Sequence, residues 1–197
     1  MFTGIIETTG NILSQAKNQT NITFTIVAPF VNELVLGQSV AHDGVCLTIE
    51  TIDLSKNCYT VTAIAETLSK TNLGAKTIGQ QINLERCMKA DGRFDGHIVQ
   101  GHVDTTAECS EISPQNGSTL FTFNFDQPFN ELVVDKGSIT INGVSLTVVE
   151  AKSNQLKVAL IPFTLQHTNL GALQIGQSVN IEFDILGKYI SKKLNQQ

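Results

Sequence analysis

Apolar and polar residues alternate in short runs along most of the chain. Thr23-Phe24-Thr25-Ile26-Val27 and Leu120-Phe121-Thr122-Phe123-Asn124-Phe125 put an apolar side chain at every second position or nearly so, the period of a strand with one buried face. Turn residues break these runs about every 8–12 positions, the spacing of an all-β domain. The strongest breaks are Asp43-Gly44 and Asn142-Gly143, dipeptides that tolerate the positive φ of a type I′ hairpin. Pro29 and Pro128 each open a Pro-Phe segment with room for one short helix. The pattern predicts an all-β fold of small closed barrels of Greek-key type, with about six strands in each. It changes only near the end. Ile185, Leu186, Tyr189, Ile190 and Leu194 recur at helical spacing with Lys188, Lys192 and Lys193 between them, which predicts an α-helix of about ten residues. So short a helix is marginal alone, and its apolar face should be covered by its own barrel or by copies of the chain.

The barrel pattern is written twice. Residues 67–85 align with residues 164–182 at an offset of 97, with 12 identities in 19 positions. Ser39–Ile49 aligns with Ser138–Val148 at an offset of 99, and Gly4-Ile5-Ile6 stands opposite Gly101-His102-Val103 at 97 again. The offset returns to 97 after the 99 block, so the extra residues belong in loops. A repeat of this length implies tandem domains of one fold. The expected boundaries are 1–97 for the first barrel, 98–186 for the second and 187–197 for the terminal helix.

Composition narrows the function. Thirteen Lys+Arg against 18 Asp+Glu give a net charge of −5 over 197 residues. Without a basic block, nucleic acid and anionic membrane surfaces are poor partners. No apolar run reaches the ~20 residues of a membrane span. Met1-Phe2-Thr3-Gly4 lacks a signal-peptide pattern, so a cytoplasmic protein is expected, and the Asn-x-Ser/Thr matches at Asn18, Asn21 and Asn116 are chance. Cys46, Cys58, Cys87 and Cys109 form no Cys-x-x-Cys pair; free thiols are expected and a zinc site is not. His97 and His102 stand five apart, which on an extended strand sends them to opposite faces, with no acidic cluster nearby, so no metal is expected. Gly96 and Gly101 match no phosphate-loop spacing.

Strand alternation after each Gly sends Val45, Leu47 and Ile49, and likewise Val144, Leu146 and Val148, to the barrel interior. Cys46 and Thr48, with Ser145 and Thr147, then lie on the outer faces, where they could meet a ligand or only solvent. The differences between the copies carry more information. His102 stands opposite Ile5, Ser145 opposite Cys46, Phe163 opposite Glu66, Asp184 opposite Cys87 and Lys136 opposite Gly37. A duplicated fold that treats two ligands differently must diverge where the chemistry happens, and histidine is the usual proton carrier near neutral pH.

Met1-Phe2-Thr3-Gly4-Ile5-Ile6, Gly96-His97-Ile98-Val99-Gln100-Gly101-His102-Val103-Asp104, Asn142-Gly143-Val144-Ser145-Leu146-Thr147 and the paired Thr-Asn-Leu-Gly loops at 71–74 and 168–171 together resemble riboflavin synthase of the α-chain type, over the whole chain. The resemblance implies a cofactor-free dismutation. Two 6,7-dimethyl-8-ribityllumazine molecules exchange a four-carbon unit to give riboflavin and 5-amino-6-(ribitylamino)pyrimidinedione. It implies a homotrimer whose productive site joins the N-terminal barrel of one subunit to the C-terminal barrel of its neighbour, and an association with lumazine synthase. Carried over by position, the catalytic set is His102, Cys46, Ser145, Asp184 and Phe2. The first pocket takes Gly4, Ile5, Ile6, Cys46, Leu47, Thr48, Thr62, Ala63, Ile64, Ala65, Glu66 and Thr67. The second takes Gly101, His102, Val103, Ser145, Leu146, Thr147, Ile161, Pro162, Phe163, Thr164, Leu165 and Gln166, with Lys136 reaching in from another chain. One departure stands out: the resemblance expects Glu where this chain has Phe163, while Glu66 is present in the first copy. A second implied reading is a non-catalytic, lumazine-carrying fluorescent protein of the same fold; such relatives typically lack the Gly-His-x-Asp junction that this chain has at 101–104.

Overall fold

The computed structural model describes residues 1–125 and 129–194. Pro128 lies outside them, as do the last three residues of the 187–197 segment. The first half runs through β1 (Thr8–Asn18), β2 (Asn21–Val27), β3 (Ser39–His42), β4 (Val45–Thr48), β5 (Thr51–Asp53), β6 (Cys58–Ala63), α1 (Ala65–Lys70) and β7 (Gln81–Arg86). The second runs through β8 (Thr105–Gln115), β9 (Ser118–Asn124), β10 (Ser138–Ile141), β11 (Val144–Lys152), β12 (Gln155–Leu160), α2 (Pro162–His167), β13 (Ser178–Phe183) and the terminal α3 (Ile185–Leu194). The helices α1 and α2 follow the last residue of β6 and of β12 within two positions; the alternation pattern predicts no helix there. Pro162 at the start of α2 marks the site, because its fixed φ suits a first helical turn.

The second half closes into a six-stranded barrel in the order β10-β11-β12-β9-β8-β13. The first half has the order β4-β3-β7-β1-β2-β6-β5. Its seventh strand is an interruption and not an addition. β4 and β5 together occupy the place of β11, and the break at Ile49-Glu50 falls where β11 shifts register between Val148 and Glu150. Bulges recur in the same way in the long first strands, between Ile12 and Ser14 and between Cys109 and Glu111. A bulge at that position bends an 11-residue strand so that it can serve a closed sheet.

Alternation sorted the strand faces as expected. Val45, Leu47, Ile49, Val144 and Val148 are buried, Leu146 is half-buried, and Thr48 and Thr147 are exposed. Each half has its own apolar core, and a third small cluster of Phe2, Ala41 and Val99 lies where the halves join. Asp43 and Gly44 have φ of 47° and 81°, and Asn142 and Gly143 have 46° and 79°, the double positive φ of a type I′ turn.

These two turns meet face to face. A Cβ on Gly44 would lie 2.8 Å from the Gly143 nitrogen, and one on Gly143 would lie 2.7 Å from the Gly44 nitrogen. Around them the halves exchange hydrogen bonds in matched pairs. The Asn72 amide donates to Asn180 Oδ1 and the Asn169 amide to Asn83 Oδ1, both at 2.7 Å. Asn83 Nδ2 donates to the Asn142 carbonyl and Asn180 Nδ2 to that of Asp43, both at 2.9 Å. The Thr-Asn-Leu-Gly loops are therefore the seam between the barrels. Among the described residues no helix is long and apolar enough to cross a membrane.

Candidate functional site

The free edge of each β4-type strand is taken by a segment from the start of the other half. The Ser145 amide donates to the Gly4 carbonyl at 2.7 Å, and the Cys46 amide donates to the Gly101 carbonyl at 2.9 Å. Ile6 packs on the core of the second barrel and Val103 on the core of the first. The pocket groupings expected from chain order are thus crossed. Gly4, Ile5 and Ile6 belong with Ser145, Leu146 and Thr147, and Gly101, His102 and Val103 belong with Cys46, Leu47 and Thr48. The reason is geometric: the halves sit side by side with matched contacts across the seam, so each leading segment lies against its neighbour's strand. Both glycines are required. Their φ values are +78° and +81°, and an added Cβ would come within 2.6 Å of Ser145 Cβ or Cys46 Cβ.

A buried carboxylate fixes each crossing segment. Glu85 accepts from the Thr3 amide and hydroxyl and the Gly4 amide at 2.7, 2.8 and 2.9 Å. Glu182 accepts from the amides of Gln100, Gly101 and His102 at 2.6, 2.9 and 2.9 Å. Burial raises the pKa of both carboxyls above the usual range, and the donated hydrogen bonds work against it.

The two crossings differ in their chemistry. At the second barrel's strand, Ser145 Oγ lies 2.7 Å from His97 Nδ1, and His97 Nε2 lies 3.1 Å from Thr140 Oγ1. Burial lowers the pKa of His97, with the nearby Asp184 carboxylate opposing the shift. A neutral imidazole so placed can accept the serine proton on one nitrogen while donating from the other. The first barrel has Cys46 at the matching place. His97 is the functional candidate that sequence reasoning missed. Its copy position would fall before residue 1, so the repeat could not flag it as a difference. Nor does a strand separate it from His102: the segment around both is irregular, with one isolated bridge between Phe2 and Val99.

His102 donates its amide to Glu182 and leaves its ring exposed. Phe2 is wholly buried beside Cys46 and Gly101, so it packs beneath Cys46 and reaches no open surface. Asp184 caps α3 by accepting from the Leu186 amide at 3.0 Å. Lys136 is exposed and sits at φ 65°, where the first half has Gly37 at φ 80°. A non-glycine residue there costs roughly 1–2 kcal/mol, and an outlier of this kind is a reason to look for a role of its side chain. Thr62, Ala63, Ile64, Ala65, Glu66 and Thr67 run from the end of β6 into α1, and Ile161, Pro162, Phe163, Thr164, Leu165 and Gln166 form the matching entry to α2. Phe163 is exposed and stacks on His167, with ring centroids 4.0 Å apart. The four cysteines are free thiols, and among the described residues no group of three His, Cys, Asp or Glu side chains could hold a metal.

The family model described as "Lumazine binding domain" matches residues 3–87 and again residues 100–184. Riboflavin synthase of Actinobacillus pleuropneumoniae is 44% identical over 195 residues, spanning 98% of this chain and 90% of that protein. Riboflavin synthase of Bacillus subtilis (strain 168) is 41% identical over 197 residues, spanning 100% and 91%. Among solved structures, LumP complexed with riboflavin superposes with a TM-score of 0.86 at 22% identity, covering 93% of this chain and 99% of that one.

Proposed function

The chain belongs to the lumazine-binding family of riboflavin synthases, and we propose that it converts two molecules of 6,7-dimethyl-8-ribityllumazine into riboflavin and 5-amino-6-(ribitylamino)pyrimidinedione. The observation that carries this reading is the pair of matching strand positions with unequal chemistry, Cys46 at one and the Ser145–His97 pair at the other. Identical substrates need similar holders. One must give four carbons and the other accept them, so the holders must also differ. Seating both replaces a dilute encounter with an effectively unimolecular step, which can supply about 7–11 kcal/mol of the barrier.

In this reading His102 moves the proton of the lumazine C7 methyl group, and Cys46 and Ser145 contact the two rings. The entries to α1 and α2 offer backbone donors and acceptors to the pyrimidinedione edges. Asp184 acts from behind His97, and Phe2 supports Cys46. The exposed stripe of α3 packs on copies of the chain in a homotrimer, which brings the first barrel of one subunit to the second barrel of another and Lys136 to its neighbour's substrate. A cytoplasmic setting, work without a cofactor and association with lumazine synthase belong to the same proposal. A lumazine-carrying fluorescent protein would share the fold, but this chain has Gly101-His102-Val103-Asp104, Cys46 and Ser145 together.

Mixing the purified protein with the lumazine, without added cofactor, should give the riboflavin absorbance band at one riboflavin per two lumazines. His102→Gln should keep the fold and lower turnover by about 10²-fold, the low end for general acid–base catalysis. Tight lumazine binding with no riboflavin would replace the enzyme by the carrier reading.

A further inference from the structure

We propose that Lys188 is a positioning residue, tying α3 to the His102 segment through Asp104. The comparison of the two halves carries the inference. Glu7 and Asp104 are counterparts at an offset of 97, each just after its crossing segment. Each carboxylate accepts from the amide of the last strand's final residue, Arg86 to Glu7 at 2.7 Å and Phe183 to Asp104 at 2.9 Å. The cations differ in origin. In the first half the strand supplies its own: the Arg86 guanidinium bonds Glu7 at 2.9 and 2.7 Å and Glu33 at 2.8 Å, and lies 5.0 Å over the Phe30 ring.

Phe183, the counterpart of Arg86, is buried in the core of the second barrel and can supply no charge. The helix supplies it. Lys188 Nζ lies 2.6 Å from Asp104 Oδ2, with both side chains only 22% exposed. The same ammonium lies close enough to Glu182 to oppose the rise of its pKa, and Glu182 holds the amides of Gln100, Gly101 and His102. One charge on α3 therefore compensates both carboxylates that fix residues 100–104. No residue of α3 is fully buried, and the Lys188–Asp104 ion pair is its charged tie to the barrel. The first crossing segment takes its compensating cation from its own last strand; the one bearing His102 takes its cation from α3, in addition to the amide bonds that Glu182 accepts.

The structural link stands apart from the proposed reaction, while its effect on turnover rests on that reading. The test compares Lys188→Met and Lys188→Arg in the full chain, by amide hydrogen exchange, sedimentation and lumazine turnover. In Lys188→Met, exchange across residues 100–105 should speed up about tenfold, between the effects of an exposed and a buried ion pair. Residues 3–8, still held through Arg86, should be unchanged, and turnover should fall by a similar factor. Lys188→Arg should restore both. Asp104→Asn should match Lys188→Met, and the double variant should be no worse than either. Unchanged exchange at 100–105, an equal rise at 3–8, or lost turnover accompanied only by dissociation would each overturn the link. Faster exchange at 100–105 in a protein that makes no riboflavin would uphold the link and defeat the activity.

Discussion

His42 and Tyr59 sit in the first barrel's core where the second barrel has Ile141 and Leu156, all four buried. His42 Nε2 lies 2.9 Å from the Tyr59 hydroxyl. Burial lowers the histidine pKa to about 4, with the backbone at Val40 and Val45 opposing, and raises that of Tyr59. The folded state thus holds a neutral histidine, while the unfolded chain takes up a proton below about pH 6.5. The stability is fully present above pH 6.5 and is lost as the pH falls toward 4. At 1.36 kcal/mol per unit the loss is on the order of 3 kcal/mol. The variant His42→Ile/Tyr59→Leu, copying the second barrel, should remove that slope. Urea denaturation of wild type and variant between pH 7 and 4 reads the difference directly, because the carboxylates common to both proteins cancel. Parallel curves would show that the pair does not couple folding to protons.

At the scale of elements, period-two alternation and the Asp-Gly and Asn-Gly turns mark the strands because both act within a few residues. The short helices α1 and α2 escape such a reading, since six residues carry too little periodicity. α3 is legible because its stripe spans ten residues. Leu186, Tyr189, Ile190 and Leu194 remain exposed on the single chain, beside a groove of about 510 Å³ that also takes in Leu132, Val134 and Gly137. Deleting residues after Gly187 should yield a smaller particle in sedimentation and much weaker turnover with both barrels folded. Ile190→Glu should do the same while keeping Lys188. A variant that sediments and works as wild type would show that the stripe is not an assembly surface. The matching groove of the first half mixes Ile5 and Met88 with Glu7, Glu33, Arg86, Lys89 and Asp95, a far more charged surface.

For the whole molecule, the seam between the barrels is nearly symmetric, and its one charged difference is paired. Buried Asp43 accepts from the Asn83 amide and from Asn169 Nδ2 at 2.8 and 2.7 Å and meets Lys76 Nζ at 2.7 Å. Its counterpart Asn142 is neutral, and the counterpart of Lys76 is Leu173. Removing one partner of a buried pair leaves the other uncompensated, so Lys76→Leu should destabilise by about 3–5 kcal/mol. Asp43→Asn/Lys76→Leu, which makes the first half copy the second, should recover most of it. A double-mutant cycle in chemical denaturation measures the coupling. Additive losses would mean that the pair does not act as a unit at this seam.

The sequence by itself determined the strands, the hairpin turns, the duplication and the terminal helix. Each of these is written in neighbouring residues or in the offset between copies. It also pointed to Cys46, Ser145 and His102, since a repeat exposes its own differences. Tertiary structure decided which segments meet. Gly4 belongs with Ser145 and Gly101 with Cys46 because side-by-side barrels bring the start of one half onto the strand of the other, a relation that no local pattern encodes. It placed His97 on Ser145 across 48 positions and Lys188 on Asp104 across 84. It also put Phe2 beneath Cys46. Burial and charge pairing between distant residues depend on how the chain closes, and only the closed chain shows them.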